Sequence, residues 1–119
     1  MTTTTPKNKR GDVVLTLFPH SDLRTAKLRP ALIIQAANLA ADLSQVVITM
    51  ITSRLFRANH SSKVLIRLST PQGQQSRRLS DSVVMTDNIA TILDTEIDRV
   101  IGTTPMDEVD KALKYTLAL

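Results

Sequence analysis

KLRPALII (27–34) is the stretch that decides how this chain folds, because a clean apolar run directly follows an arginine and a proline. Pro30 has no amide hydrogen for a sheet ladder, so it predicts either the first residue of a strand or an edge position. The residue before a proline is pushed into an extended backbone conformation. Arg29 is therefore expected to be held in place at the mouth of a buried strand.

Further strands are predicted on both sides of this one. QVVITMIT (45–52) is a second, nearly continuous apolar run bounded by polar residues, which is typical of a buried strand. PHSDLRTAK (19–27) reads as a loop. Shorter β-rich segments occur at 11–18, 63–68, 82–87 and 89–93. Five or six short strands with no long helix between them predict a small barrel.

The end of the chain, TPMDEVDKALKYTLAL (104–119), changes to a helical period. Thr104 is predicted as the N-cap, with Pro105 at the first helical position. An amphipathic helix is expected to pack on the β core, because apolar residues recur at helical spacing. They are Met106, Val109, Leu113 and Leu117.

Length and composition limit the classes of protein to which this chain can belong. The 119 residues predict one domain over 11–119 after a disordered basic tail over 1–10. No apolar run approaches the roughly 20 residues that span a bilayer, and no secretory signal is evident, so a cytoplasmic protein is expected. The absence of cysteine excludes disulfides and cysteine nucleophiles. The chain has two histidines, and their separation does not match the spacing of metal ligands, so neither a metal site nor a cofactor is expected.

The charge is unevenly distributed along the chain. The net charge is +4, yet residues 1–80 hold 12 basic and 3 acidic side chains, whereas residues 81–119 hold 3 basic and 8 acidic ones. Such a basic surface favours a polyanion, and a phosphate backbone is the usual one. Ordinary solubilising charge is the alternative.

Polar residues at the ends of two predicted strands indicate a candidate site. Arg29 begins one strand, and Thr52 and Ser53 end the next. If the two strands are antiparallel neighbours, the start of one lies beside the end of the other. A guanidinium and one or two hydroxyls would then converge, which suits a phosphate. The alternative is that these residues are structural.

The order of several segments resembles the MazF/PemK family of toxin–antitoxin ribonucleases over residues 10–119. The segments are RGDVVLTLFP, KLRPALII, VVITMITS, DSVVMTDNIATIL and DRVIG before a helix. The resemblance implies a mainly β fold with α, namely a small SH3-like barrel of five to seven short strands with a C-terminal helix. It also implies metal-independent, sequence-specific cleavage of single-stranded mRNA, leaving a 2′,3′-cyclic phosphate and a 5′-hydroxyl. The implied partners are RNA, a second copy of the chain and a cognate antitoxin, whose complex binds operator DNA.

The resemblance also assigns site residues. Arg29 matches the family's catalytic arginine and Thr52 its hydroxyl partner, with Ser53 beside it. Asp87 matches an acidic position used by some relatives, although Met85 stands where those relatives carry an arginine. His20 is a further catalytic candidate by the chemistry of histidine alone, because most relatives carry an aromatic residue at that position. The residues themselves suggest further RNA contacts: Phe56 could stack on one base, with an exposed loop anchor as the alternative. Contacts to the RNA backbone are expected from the cations Arg24, Lys27, Arg54, Arg57, Arg77 and Arg78.

Two other functions compete with RNA cleavage. Toxins of the same fold that poison DNA gyrase depend on a C-terminal tip bearing tryptophan, whereas this chain has no tryptophan and ends in TLAL. A catalytically idle barrel that only binds RNA or an antitoxin is the third possibility. The presence of both Arg29 and Thr52 argues against an idle barrel.

Overall fold

A computed structural model of the chain describes residues 9–19, 26–35, 45–53, 60–66 and 82–119, with the backbone alone for residues 18, 19, 26 and 27. Within these ranges six strands form one sheet. They are β1 (Asp12–Pro19), β2 (Ala26–Ile33), β3 (Gln45–Thr52), β4 (Lys63–Ile66), β5 (Ser82–Leu93) and β6 (Ile97–Thr103). A 3₁₀ turn, Asp94–Glu96, joins β5 to β6, and helix α1 covers Asp107–Leu117.

The strand order is β4–β5–β3–β2–β1–β6, and every neighbouring pair is antiparallel. Within the described ranges the ladder ends at β4 and at β6, so the sheet is not closed. The predicted mainly β fold with a C-terminal helix is confirmed, and six strands fall within the expected five to seven. No helix in the described part of the chain is long and apolar enough to span a membrane.

The sheet buries apolar side chains on both faces, which explains why the inner strands read as continuous apolar runs. Val13 pairs with Leu32 on the face that carries α1, here called the helix face, and Val14 pairs with Ala31 on the opposite, far face. The core of the helix face contains Val13, Leu32, Ile51, Ile66, Val84, Val109 and Leu113. The core of the far face contains Val14, Ala31, Ile33, Val46, Ile48 and Ile92.

The hairpin of β1 and β2 is longer than the sequence predicted. Pairing extends to Pro19 with Ala26, so both ends of the expected loop at 19–27 belong to strands. The prediction that β2 starts near Pro30 was wrong, because Pro30 is the fifth residue of the strand and pairs with Leu15. Pairing with β3 begins only at Ala31. Pro30 therefore lies where one of the two ladders ends, and a residue without an N–H is accommodated there.

β5 is one strand of 12 residues, where the sequence predicted two short strands. Thr49 and Met50 are adjacent in β3, but their partners in β5, Ile89 and Met85, are four residues apart. The three residues between, 86–88, form an offset of the bulge type. The buried Thr49 hydroxyl holds this offset, because it lies within hydrogen-bond reach of the Met85 carbonyl and 3.1 Å from that of Asn88.

Helix α1 begins later than predicted. Its N-cap is Met106, without a side-chain capping bond, so the assignment to Thr104 was wrong. Thr104 stays tied to the sheet, because its N–H donates to the Gly11 carbonyl at 2.9 Å. Leu117, expected in the apolar stripe, is the last helical residue and is 51% exposed. The buried residues of the helix are Val109, Ala112 and Leu113.

The residues just before β1 anchor it to the helix. Arg10, which the sequence placed in the N-terminal tail, donates from Nε to the Ile34 carbonyl at 3.0 Å and forms an ion pair with Asp110 of α1. Gly11 has a φ of +94°, and a Cβ there would lie 3.2 Å from the Thr104 carbonyl oxygen. Glycine suits this position because a side chain would be strained by both the dihedral angle and the contact.

Candidate active site

Arg29 lies in the interior of β2, opposite Thr16 of β1. Its side chain is half-buried, and its guanidinium has no hydrogen bond or ion pair with any residue that the structure describes. Thr16 is fully buried and its hydroxyl donates to the Glu96 carbonyl at 3.0 Å. The backbone at Arg29 is therefore fixed by the β1–β2 ladder, while its cation is available to an anion.

Thr52 is the last residue of β3, and the pairing of β3 with β2 ends two residues earlier, at Met50 with Ala31. Side chains two residues apart on a strand point to the same face, so Thr52 lies on the face of Met50 and Arg29 on the face of Ala31. Thr52 is half-buried, and Ser53 follows it as an exposed residue. Arg29 and Thr52 therefore lie on the same far face, each two residues beyond the last β2–β3 pair.

A guanidinium and a hydroxyl so placed can share one anion. Guanidinium presents two parallel N–H donors that match two oxygens of a phosphate, and a hydroxyl adds one directed hydrogen bond. Because the backbone of both strands is held by ladders, these donors are positioned before an anion arrives. This favours binding of a phosphate group at the junction of β2 and β3.

Asp87, a candidate acid–base group, lies in the offset of β5 and is engaged by Lys63. Lys63 Nζ is 2.6 Å from Asp87 Oδ1, and the lysine side chain is only 10% exposed. The hydrogen bond from Lys63 lowers the pKa of Asp87, and burial opposes it only in part. A carboxylate held ionised in this way is a weak proton acceptor.

His60 belongs to the same polar cluster as Lys63. Its Nδ1 accepts a hydrogen bond from the Ser62 N–H at 3.1 Å and lies 2.8 Å from Ser62 Oγ. The imidazole meets the Tyr115 ring edge-on, with centroids 5.8 Å apart. Sequence patterns did not indicate this cluster, because Tyr115 lies on α1, far from His60 along the chain.

Several predicted site residues lie outside the described residues. Within the ranges that are described, no three His, Asp or Glu side chains come together as metal ligands would. Lys27 is described by its backbone only, as the strand partner of Phe18. The others outside the described residues are His20, Arg24, Arg54, Phe56, Arg57, Arg77 and Arg78.

The sequence matches one protein family over almost its whole length. A model of the PemK-like, MazF-like toxins of type II toxin–antitoxin systems matches residues 9–117. Comparison with curated proteins finds no match.

Solved structures with the same fold are also found. An endoribonuclease from a mycobacterial species has a TM-score of 0.71 and 24% identity, covering 100% of this chain and 97% of its own. A mycobacterial endoribonuclease in complex with its cognate antitoxin has a TM-score of 0.72 and 24% identity, covering 94% and 96%. MazE–MazF from Deinococcus radiodurans has a TM-score of 0.68 and 18% identity, covering 94% and 96%. At these identities the likeness establishes the fold.

Proposed function

This chain belongs to the PemK-like, MazF-like toxins of type II toxin–antitoxin systems, and we propose that it is an endoribonuclease that cuts single-stranded mRNA at specific sequences and so inhibits growth in the cytoplasm. Two solved structures of the same fold are endoribonucleases. The basic balance of residues 1–80 suits an RNA substrate.

The placement of Arg29 and Thr52 on one face of the sheet, each two residues beyond the last β2–β3 pair, supports this proposal. In the reaction the ribose 2′ oxygen attacks phosphorus as its proton is removed, and the bond from phosphorus to the 5′ oxygen breaks as that oxygen gains a proton. The products are a 2′,3′-cyclic phosphate and a free 5′-hydroxyl. Negative charge on the phosphorane is greatest between these two events, and a preorganised guanidinium stabilises it.

The roles follow from this charge distribution. Arg29 stabilises the phosphorane and donates a proton toward the leaving oxygen, Thr52 orients the phosphate, and Ser53 supplies a second hydroxyl. Arginine is a poor base because guanidinium holds its proton tightly. Asp87 is a poor base because the hydrogen bond from Lys63 lowers the pKa of its carboxylate, so the carboxylate accepts a proton only weakly. His20 stays a candidate for the base, since histidine titrates near neutrality.

RNA binding and partners complete the proposal. In this proposal Phe56 stacks on a base and six cations contact the RNA backbone; these cations are Arg24, Lys27, Arg54, Arg57, Arg77 and Arg78. Leu17 and Leu28 face each other across the β1–β2 ladder and are 42% and 47% exposed, which favours a homodimer that covers them. The cognate antitoxin binds the toxin, and their complex binds operator DNA.

The test is cleavage of RNA without metal. Purified protein is incubated with mixed-sequence single-stranded RNA in EDTA, and the new ends are mapped. Cyclic phosphate and 5′-hydroxyl ends at a recurring sequence are expected. Cleavage that requires an added divalent cation, or that occurs only in duplex RNA, would contradict the proposal.

A further inference from the structure

Two methionines lie on the far face beside the proposed phosphate site. Met50 of β3 and Met85 of β5 are directly opposite each other, and Met50 shares its face with Thr52. Both methionine side chains are half-buried, and neither belongs to the residues that form the two cores. The proposed RNA cleavage uses neither of them. Part of this methionine pair is therefore open to solvent next to the proposed site.

Met50 is also a neighbour of Arg29. Ala31 is the last residue of β2 that pairs with β3, and its partner is Met50. Arg29 lies two residues from Ala31 on the same face, so it is the diagonal neighbour of Met50 across the two strands. Diagonal neighbours lie about 7–8 Å apart, a separation that long side chains span. The side chains of Met50 and Arg29 are therefore within reach of each other on the far face.

The sulfur of Met50 has a hydrogen-bond donor beside it. Asn88 Nδ2 donates to Met50 Sδ at 3.3 Å. A thioether sulfur is a weak acceptor, whereas oxidation to the sulfoxide makes the side chain polar. As oxygen is added to the sulfur, negative charge collects on that oxygen, and a donor already in place stabilises it. Among the contacts of the described residues, neither Met85 nor Met106 has such a donor at its sulfur.

The chain has no cysteine, so thioethers are the sulfur groups that a hydroperoxide meets. A lone pair of the sulfur attacks the outer oxygen of the hydroperoxide, the S–O bond forms and the O–O bond breaks. The sulfur loses two electrons, and the peroxide is reduced. The proton of the attacked oxygen passes to the leaving oxygen, which gives an alcohol, or water when the oxidant is hydrogen peroxide.

We propose that Met50 is a site of reversible oxidation by hydroperoxides, and that its sulfoxide lowers the rate of RNA cleavage by engaging Arg29. The guanidinium of Arg29 has no hydrogen bond or ion pair with any residue that the structure describes, so it is available to a new acceptor. The sulfoxide oxygen accepts hydrogen bonds from the Asn88 amide and from this guanidinium, which then no longer faces a phosphate. The effect on cleavage rests on the proposed function, whereas the oxidation itself does not.

The first test measures the rate of oxidation at each methionine. Folded protein is treated with dilute hydrogen peroxide, and peptide mapping by mass spectrometry follows the gain of one oxygen. Met50 should react about tenfold faster than Met106, which is also half-buried but packs on the core of the helix face and has no described donor. Asn88→Asp replaces the amide donor by an acceptor of the same shape and should remove most of this preference. Equal rates at Met50 and Met106, or an unchanged rate in Asn88→Asp, would overturn the site.

The second test measures single-turnover RNA cleavage before oxidation, after it, and after treatment with methionine sulfoxide reductases of both stereospecificities and dithiothreitol. The rate of the parent should fall about tenfold on oxidation and return on reduction. Met50→Leu keeps the side-chain volume without a sulfur, so it should cut at the parent rate throughout. Met106→Leu is the matched control and should lose activity as the parent does. Equal losses in the parent and in Met50→Leu would overturn the role of Met50.

The third test observes the Arg29 guanidinium directly in the parent chain without RNA. Solvent exchange of its Nε–H, measured by nuclear magnetic resonance, should slow about tenfold on oxidation and recover after reduction. Exchange that is the same in both forms would overturn the contact between the sulfoxide and Arg29.

These measurements also separate the inference from the proposed function. A parent protein that cuts no RNA refutes the proposed nuclease, while selective oxidation of Met50 with slowed exchange at Arg29 still supports the modification site. A parent protein that cuts RNA at one rate whether or not Met50 is oxidised overturns the inference and leaves the nuclease intact.

Discussion

Lys63 and Asp87 join β4 to the offset of β5 through an ion pair with 2.6 Å between Nζ and Oδ1. The two ends of the pair differ in environment, because the lysine side chain is 10% exposed and the aspartate 48% exposed. The mostly buried cation thus depends on a carboxylate that reaches it from the surface. This dependence makes the pair sensitive to pH.

Asp87→Asn should lower the free energy of unfolding at pH 7 by about 0.5 kcal/mol, a small value because solvent screens the exposed carboxylate. The pKa of Asp87 is lowered in the folded state, so the contribution is present above its ordinary value of 3.8 and disappears as the pH falls below it. Urea unfolding of parent and variant from pH 7 to strongly acidic solution checks this, with Asp98→Asn as a surface control. A difference that grows toward low pH would contradict the argument.

Arg29→Ala should reduce the single-turnover rate of RNA cleavage on the order of 100- to 1,000-fold, because one preorganised charge donor is removed. Arg29→Lys should restore little, since an ammonium cannot make the planar two-point contact. Arg99→Ala is the matched control, because Arg99 is exposed and its ion-pair partner among the described residues is the adjacent Asp98. A folded Arg29→Ala protein that cuts at the parent rate would refute the assignment.

Substituting Arg77 and Arg78 by alanine should have the opposite effect. Backbone contacts set affinity and its salt dependence, so binding should weaken and its dependence on salt should flatten. The rate of the bound complex should change little. Binding titrations at several salt concentrations, beside single-turnover cleavage, separate these effects. Unchanged affinity would place both arginines away from the RNA.

Thr86→Val should destabilise the fold by about 1–3 kcal/mol, because it removes a buried hydroxyl and leaves its hydrogen-bond partners without it while the shape is kept. Thr86 is fully buried, and its Oγ1 lies 2.6 Å from the Ser62 carbonyl and 2.8 Å from the Thr116 hydroxyl on α1. Thr91→Val, at an exposed position of the same strand, should be nearly neutral. Urea unfolding compares them, and equal stability of both variants would contradict this role for Thr86.

Arg10 and Asp110 should be coupled in stability. Arg10→Ala should cost about 1 kcal/mol, because it removes the ion pair to α1 together with the hydrogen bond to the Ile34 carbonyl. In a double-mutant cycle with Asp110→Ala, part of this loss should be shared between the two substitutions. Strictly additive losses would show that the helix is not held through this contact.

The antiparallel pairing of β2 with β3 was predictable from the sequence, because two apolar runs bounded by polar residues predict adjacent strands. Arg29 was expected at the start of its strand, whereas it is the fourth residue of β2 and lies two residues beyond the last pair with β3. The start of α1 was predicted less well. Thr104 has the chemistry of an N-cap, but its backbone is retained by the bond to Gly11, which a local pattern does not contain.

The cluster of His60, Lys63, Asp87 and Tyr115 was not predictable in the same way. Lys63 pairs with Met85 across the β4–β5 ladder, so Asp87, two residues further along β5, is its diagonal neighbour on the same face. Propensity and hydrophobic period describe each strand by itself, and neither contains the register between two strands. The contact between His60 and Tyr115 further requires α1 to lie against β4, which depends on tertiary packing.

Strand β5 contributes to both cores on either side of its offset, and β1, β2 and β3 contribute to both cores as well. Val84 lies before the offset and packs in the core of the helix face, whereas Ile92 lies after it and packs in the core of the far face. The same strands therefore belong to both cores, and neither core can be exposed while the other keeps its full set of neighbours. The domain should unfold as a single cooperative unit, with the amides of β3 exchanging only through global opening.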